Sequence, residues 1–92
     1  MDINVFTKYK VKYTCEYSYI NEYGDFSDGH SERESIVDGY TFLTMVYKHI
    51  ENYDFIRMLA QDKMVYIETF NPNTGETADY TYEYEETEEN EV

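Results

Sequence analysis

The clearest hydrophobic pattern in the chain is a strict alternation that runs from residue 8 to residue 19. Aromatic or apolar side chains occupy the odd positions, and polar or charged side chains occupy the even positions. The odd set is Tyr9, Val11, Tyr13, Cys15, Tyr17 and Tyr19, and the even set is Lys8, Lys10, Lys12, Thr14, Glu16 and Ser18. Successive side chains of a strand point to opposite faces of its sheet. The pattern therefore predicts a long strand with one apolar face and one wet face, as in an antiparallel sheet.

The next segment carries turn residues. Residues 20–30, INEYGDFSDGH, contain small polar residues around Gly24 and Gly29, a composition typical of a hairpin loop. Residues 31–37, SERESIV, show a weaker alternation and are interpreted as the strand that returns from this loop. Residues 8–37 are therefore predicted to form a β-hairpin.

A helix is predicted to follow, from Asp38 to about Asn52. Asp38 is suited to cap the N-terminus, because its carboxylate can accept hydrogen bonds from the first free amides of a helix. Apolar side chains then recur at helical spacing, at Tyr40, Leu43, Val46, Tyr47 and Ile50. This stripe is expected to be buried against the tyrosine-bearing face of the first strand.

Further strands complete the predicted order. Residues 53–61, YDFIRMLAQ, fit either a short helix or a strand, and the strand is favoured. Residues 64–70, MVYIETF, and residues 77–85, TADYTYEYE, flank a segment in which Pro72 and Gly75 are typical of a hairpin loop. The order β-β-α-β-β-β predicts an α+β fold, with one helix packed on one face of an antiparallel sheet of about four to five strands.

Length and composition indicate a single domain. A chain of 92 residues can bury one modest core, and its hydrophobic content of 41% exceeds that of a disordered acidic chain. Residues 1–85 are expected to form the domain, and residues 86–92 an acidic flexible tail. The single cysteine, Cys15, excludes an intramolecular disulfide. No segment has the apolar length of a signal peptide or a membrane span, so a soluble intracellular protein is expected.

The charge of the chain is strongly negative and unevenly placed. The formal net charge is −13, from 7 basic and 20 acidic residues. Residues 13–38 contain seven acidic residues against Arg33, and residues 64–92 contain nine acidic residues and no lysine or arginine. Such a surface repels nucleic acid and anionic membranes, and it attracts basic partners.

Two interpretations of these acidic residues remain open. They can keep a small tyrosine-rich protein soluble and protect an edge strand from pairing. They can also bind a partner, since carboxylates two residues apart on a strand lie about 6.6–6.8 Å apart, a spacing comparable in scale to that of phosphates on one nucleic-acid strand. Solubility requires a net charge of only about 2–8, which favours the second interpretation. The candidate partner-binding residues are Asp79, Glu83, Glu85, Glu86, Glu88 and Glu89, with Asp25, Asp28, Glu32 and Glu34 as a second patch.

The sequence contains few residues that could serve in catalysis or metal binding. Cys15 alternates with tyrosines and is interpreted as a core residue, and His49 as a residue that favours the C-terminal end of the helix dipole. His30 lies in the predicted loop beside Asp28 and Ser31, but residues adjacent in sequence rarely form a catalytic triad. An EF-hand alignment fails because Gly24 and Ser35 occupy ligand positions. The protein is therefore expected not to be an enzyme, and neither a cofactor nor a metal is expected.

In its overall composition, the chain resembles the phage-encoded inhibitors that mimic DNA, including many anti-CRISPR proteins and inhibitors of restriction enzymes or repair glycosylases. The resemblance rests on small size, acidity, tyrosine content and the lack of catalytic residues, and it covers the whole chain. It implies that the protein occupies the basic nucleic-acid channel of a bacterial defence enzyme, such as a CRISPR effector nuclease, in the cytoplasm of a bacterial host cell. No individual functional residue follows from it.

The partner expected on these grounds is a basic nucleic-acid-binding protein, rather than nucleic acid itself or a membrane. The chain is expected to be a monomer or a weak homodimer. The alternative is a phage structural or assembly protein that associates with itself through its tyrosine-rich faces.

Overall fold

The computed structural model describes residues 2–52 and 54–87. Within these residues it contains an antiparallel sheet of five strands and one α-helix, so the predicted α+β order is confirmed. In chain order the elements are β1 (Lys8–Ile20), β2 (Phe26–Asp38), α1 (Gly39–Ile50), β3 (Phe55–Gln61), β4 (Met64–Phe70) and β5 (Thr77–Glu86).

The strand order places the last strand in the middle of the sheet. The order is β2-β1-β5-β4-β3, and every neighbouring pair is antiparallel. β5 therefore pairs with β1 on one side and with β4 on the other, while β2 and β3 form the two edges. The acidic residues of β5 cannot serve to protect an edge, because β5 has no free edge. Protection of an edge remains a role only for the acidic residues of β2.

The core lies between α1 and the odd-numbered face of β1, as the alternation predicts. Phe42 of α1 contacts the rings of Tyr9 and Tyr82 from β1 and β5, with centroids 6.4 and 5.9 Å away. The tyrosine alternation of β1 and β5 thus supplies one wall of the core. The buried cluster consists of Tyr9, Val11, Phe42, Val46, Val65, Ile67 and Tyr82.

The helix begins where the sequence predicts, but its buried face only partly coincides with the predicted stripe, because Val46 belongs to both and Phe42 lies outside the stripe. Asp38 caps it by accepting a 2.7 Å hydrogen bond from the Thr41 amide, and the helix ends at Ile50, two residues before the predicted end. Phe42 and Val46 are fully buried, whereas Tyr40 and Tyr47 of the predicted stripe are 68% and 49% exposed. The sequence pattern was ambiguous because large apolar side chains occur on more than one side of this helix.

The rotation of α1 about its axis, which decides the face that it buries, follows from the way the chain enters the helix. Gly39, the first helical residue, lies directly against the backbone carbonyl of Asn4, where there is no room for a β-carbon. The Gly39 amide also donates a 2.8 Å hydrogen bond to the Thr7 carbonyl. This close approach holds the first turn of α1 against residues 4–7 and turns Phe42 toward the sheet.

We expect Gly39→Ala to destabilise the domain, although alanine is normally favoured over glycine in a helix by about 1 kcal/mol. The added methyl group would collide with the Asn4 carbonyl, and overpacking of this kind costs about 1–3 kcal/mol. Urea denaturation measures the change, with Tyr40→Ala as the control for helix propensity at an exposed position of the same turn. A gain in stability in Gly39→Ala would contradict the close packing of this turn.

The second strand is longer than predicted. β2 begins at Phe26, so the loop contains only residues 21–25, and the predicted loop residues 26–30 belong to the strand. Two features make this possible: the Asn21 side chain accepts hydrogen bonds from the Tyr23 and Asp25 amides, and the Tyr17 ring covers Gly29 across the strand pair. The tight loop and the covered glycine allow pairing to continue through a segment with weak strand propensity.

The molecule is elongated. Its radius of gyration is 15.0 Å, compared with about 12 Å for a compact domain of this length. The principal extents are 54 × 21 × 19 Å. The cause is the β1–β2 hairpin, whose 13-residue strands are each about 43 Å long, whereas the 12 residues of α1 span about 18 Å. Much of the hairpin therefore lies beyond the reach of the helix.

Candidate functional site

One face of the sheet is not covered by α1. This open face carries the even-numbered side chains of β1 and the side chains that pair with them on the neighbouring strands. On β5 these are Thr81, Glu83 and Glu85, as the alternation predicts, and Asp79 continues the same face. Most of the candidate binding residues therefore share one surface.

Three carboxylates lie side by side across the open face. Asp79 of β5 pairs directly with Glu16 of β1 and with Glu68 of β4, and strands in a sheet lie about 4.7–4.9 Å apart. We call Glu16, Asp79 and Glu68 the acidic row. His30 and Arg57 lie at its two ends, where His30 Nδ1 is 3.8 Å from Glu16 and Arg57 Nε is 3.1 Å from Glu68. Like charges directly opposite each other destabilise a strand pair.

The electrostatic cost of the acidic row is visible at its centre. Burial raises the pKa of Asp79, and the neighbouring Glu68 raises this pKa further. A hydrogen bond from Tyr66 opposes this rise, and Glu16, the partner of Asp79 on β1, adds to it. The surroundings of Asp79 therefore disfavour its ionised form, and a bound cation would stabilise that form.

The second acidic patch joins this row. Asp28, Glu32 and Glu34 occupy alternate positions of β2 on the open face, and Asp25 lies in the hairpin loop. His30, which pairs with Glu16, lies between Asp28 and Glu32 and its Nε2 is 3.4 Å from the Glu32 carboxylate. We call the combined surface the acidic half of the open face, and its members are Glu16, Asp28, Glu32, Glu68 and Asp79.

The other end of the open face contains compensating lysines. Lys10 and Lys12 of β1 pair with Glu85 and Glu83, respectively, across β5. Lys10 Nζ also lies 3.0 Å from the Glu34 carboxylate, and this hydrogen bond and charge raise the pKa of Lys10. Glu83 and Glu85 thus lie beside cations, and less of their charge is available to a partner.

The remaining candidates lie elsewhere. Glu86, assigned to the tail by the sequence, is the last residue of β5 and pairs with Tyr9, so it lies on the helix side of the sheet. Glu88 and Glu89 lie outside the described residues. Glu16 and Glu68, by contrast, were not selected from the sequence although they flank Asp79. The alternation places Glu16 on the polar face, but the pairing of β1 with β5 brings together residues about 60 positions apart.

Cys15 and His49, the residues with the most reactive side chains, are involved in packing. Cys15 is buried as predicted, and burial raises the pKa of its thiol, which weakens it as a nucleophile. His49 lies in the last turn of α1, with Nε2 2.6 Å from the Tyr82 hydroxyl and its ring 4.2 Å from that of Tyr80. In residues 2–52 and 54–87, no group of three or more histidine, cysteine or acidic residues is arranged to hold a metal ion.

We expect His49 to contribute a loss of stability as the pH drops below about 6.5, the ordinary pKa of histidine. Burial lowers the pKa of His49 in the folded state, so the unfolded chain binds a proton at a pH where the folded chain does not. The loss should stay below about 1 kcal/mol, because the ring is only half buried. Urea denaturation at pH 7 and pH 5 measures it, and His49→Gln should remove this part of the pH dependence. An unchanged pH dependence in His49→Gln would contradict the assignment.

Comparison with known proteins finds no family model, no curated protein and no solved structure that matches this chain. Across the part of the chain that the structure describes, no helix is both long and apolar enough to cross a membrane. Function is therefore inferred from the charge and geometry of the chain itself.

Proposed function

We propose that the protein is a stoichiometric inhibitor that occupies the basic nucleic-acid channel of a bacterial defence enzyme, such as a CRISPR effector nuclease. The observation that carries this proposal is the acidic half of the open face. Its carboxylates would contact the lysine and arginine side chains that otherwise hold phosphates. The inhibitor would act by excluding the nucleic acid and would not be consumed.

The geometry of the sheet supports this role. Glu32 and Glu34, two residues apart on β2, are separated by about 6.6–6.8 Å, and the acidic row adds a spacing of about 4.7–4.9 Å between neighbouring strands, so both spacings are comparable in scale to that of phosphates on a nucleic-acid strand. The hydrogen-bonded ladders hold these side chains on a fixed frame, which reduces the entropy lost on binding. The cross-section of 21 × 19 Å would allow the molecule to enter a long groove end-on or lie along it.

The cost of the acidic row also supports a binding role. Solubility is served equally well by acidic residues that are spread over the surface and do not oppose one another. Here Glu16, Asp79 and Glu68 are placed side by side, and the two glutamates add to the rise that burial causes in the pKa of Asp79. Sequences keep such unfavourable arrangements mainly at functional sites.

The tyrosines give less support to self-association. Tyr9 and Tyr82 are buried in the core, and Tyr13, Tyr80 and Tyr84 pack against it. The part of the tyrosine-rich face that lies under α1 is therefore occupied by the fold itself, whereas Tyr17 and Tyr19, 37% and 39% exposed, continue this face along the hairpin. The open face is the surface that α1 leaves uncovered, and its charge would oppose pairing with a second copy.

The test uses the full chain as bait in a bacterial lysate at low salt, with Glu16→Gln/Asp79→Asn as a parallel bait of weaker charge. A captured protein is then purified, and its binding to duplex DNA or RNA is measured while the inhibitor is titrated. We expect inhibition that saturates at a fixed molar ratio and weakens as salt screens the charges, over about 10 Å at 0.1 M.

Three outcomes would overturn the proposal. One is complete inhibition by a small fraction of an equivalent that increases with time, which indicates an enzyme. The second is inhibition that does not change between low and high salt. The third is a captured partner that binds the inhibitor and nucleic acid at the same time.

A further inference from the structure

The outer edge of β2 is a long unpaired strand edge. β2 contains 13 residues and lies at the end of the sheet, and no other described strand pairs with its outer side. The opposite edge, β3, has only 7 residues and an irregular register between Phe55 and Arg57. A long regular edge is a template on which an extended peptide can add one more strand.

The hydrogen bonds of the hairpin identify which residues of β2 face outward. The Asn21 amide donates to the Asp25 carbonyl, and the Gly39 amide donates to the Thr7 carbonyl, each over 2.8 Å. Both pairs consist of odd-numbered residues, and they lie at the two ends of the β1–β2 ladder. Along an antiparallel ladder, pairs that exchange backbone hydrogen bonds alternate with pairs that do not. The odd residues of β2 therefore bond inward to β1. The even residues direct their amide and carbonyl groups away from the sheet.

The residues with free backbone groups also carry the acidic side chains. Asp28, Glu32 and Glu34 are even residues of β2, and they lie on the open face with His30 between the first two. In an added antiparallel strand, the residue opposite each of them would share two backbone hydrogen bonds with it, with a Cα separation of about 5.5 Å. The side chains of these opposing residues would lie beside the carboxylates.

We propose that the outer edge of β2 binds an extended segment of a partner protein that carries lysine or arginine at every second residue. The segment adds as a sixth, antiparallel strand, and its basic side chains contact Asp28, Glu32 and Glu34. A second copy of this chain is disfavoured at the same edge, because antiparallel pairing of two β2 strands would bring their acidic side chains together.

The inference goes beyond the proposed inhibition, since it specifies how a partner is held and not what the partner does. A basic strand can bind this edge whether or not its protein binds nucleic acid. The peptide experiment below uses no enzyme, so its failure leaves the inhibition proposal unchanged. Failure of inhibition would likewise leave the edge proposal unchanged.

The probe is a synthetic nine-residue peptide in which lysine alternates with threonine, titrated into the full ¹⁵N-labelled chain at low salt. The control peptide has the same residues with all lysines in one block. We expect the alternating peptide to shift the amide signals of β2 and to slow hydrogen exchange at its even residues. The block peptide should bind at least severalfold more weakly, because its charge is equal but only part of it can face the carboxylates.

A proline substitution tests the backbone contact separately from charge. His30 is an even residue, so His30→Pro removes one outward amide without removing a hydrogen bond to β1, and proline is tolerated at such edge positions. His30→Ala removes the same imidazole and keeps the amide. We expect His30→Pro to bind the alternating peptide about fivefold more weakly than His30→Ala, the effect of one backbone hydrogen bond. Thermal melting of both variants verifies that they are folded.

Several results would overturn the proposal. Equal affinity of the two His30 variants would show that no strand is added at this residue. Signal changes centred on β5 and β4 would indicate that the peptide binds across the open face instead. Changes in the β2 amides with protein concentration alone would assign the edge to a second copy of the chain.

Discussion

Replacing Val46 with aspartate is expected to unfold the domain, whereas the same change at Tyr47 should leave it folded. Val46 is completely buried among Tyr9, Phe42 and the strands of the sheet. An uncompensated charge at such a position costs about 3–5 kcal/mol or more, which is a large part of the roughly 5–15 kcal/mol that stabilises a typical domain. Tyr47 is half exposed, and an aspartate there keeps its water, so the change should stay within about 1 kcal/mol.

Circular dichroism during heating and urea denaturation distinguish the two variants. Val46→Asp should lose the cooperative transition or shift it to a much lower temperature, and Tyr47→Asp should retain it. Valine and tyrosine have similar helix propensities, and both are replaced by aspartate at adjacent positions of one helix. The change in helix propensity is therefore about the same in the two variants. Equal melting of the two variants would show that the rotation of α1 is wrong.

Removing two charges from the acidic row is expected to weaken partner binding far more than removing two charges elsewhere on the same face. The variant Glu16→Gln/Asp79→Asn should bind the captured partner about tenfold or more less tightly, the effect of lost hydrogen bonds between charged groups. The matched variant Glu83→Gln/Glu85→Gln removes the same charge. It should lose less than about threefold, because Lys10 and Lys12 already compensate these carboxylates in the free protein.

The stabilities of the two variants provide an independent measurement. Neutralising Glu16 and Asp79 removes like charges that face each other, an effect of about 0.2–1 kcal/mol for each pair. We therefore expect this variant to melt at the same temperature as the natural chain or higher, while its binding decreases. Equal binding losses in the two variants would mean that only net charge matters. A stable acidic-row variant with undiminished binding would remove the row from the interface.

The strands were predictable because their patterns are local. The alternation from Tyr9 to Tyr19 fixes the faces of β1 without knowledge of its neighbours, and MVYIETF coincides with β4. The face of α1 was not predictable, since Tyr40 and Phe42 are both large and aromatic. Its rotation is set by the contact of Gly39 with Asn4, which involves residues far apart along the chain.

The candidate site shows the same division between local and long-range information. The sequence identified Asp79 and the acidic residues of β2, and it placed Glu83 and Glu85 on one face. It did not indicate that Lys10 and Lys12 lie beside Glu85 and Glu83, or that Glu16 and Glu68 flank Asp79. Those neighbours depend on the register of β5 against two other strands, and a register between distant segments has no signal in composition or periodicity.

The central position of β5 has a consequence for how the domain is made. β1 with β2, and β3 with β4, are hairpins between adjacent segments, but these two hairpins are joined only through β5. During synthesis β5 is the last of the five strands to be made, so the complete sheet cannot form until β5 has followed the other four. Pairing of β5 with β1 also closes a long chain loop, which slows folding. We therefore expect the pairing of β5 with β1 and β4, which joins the two hairpins into one sheet, to be a late step of folding.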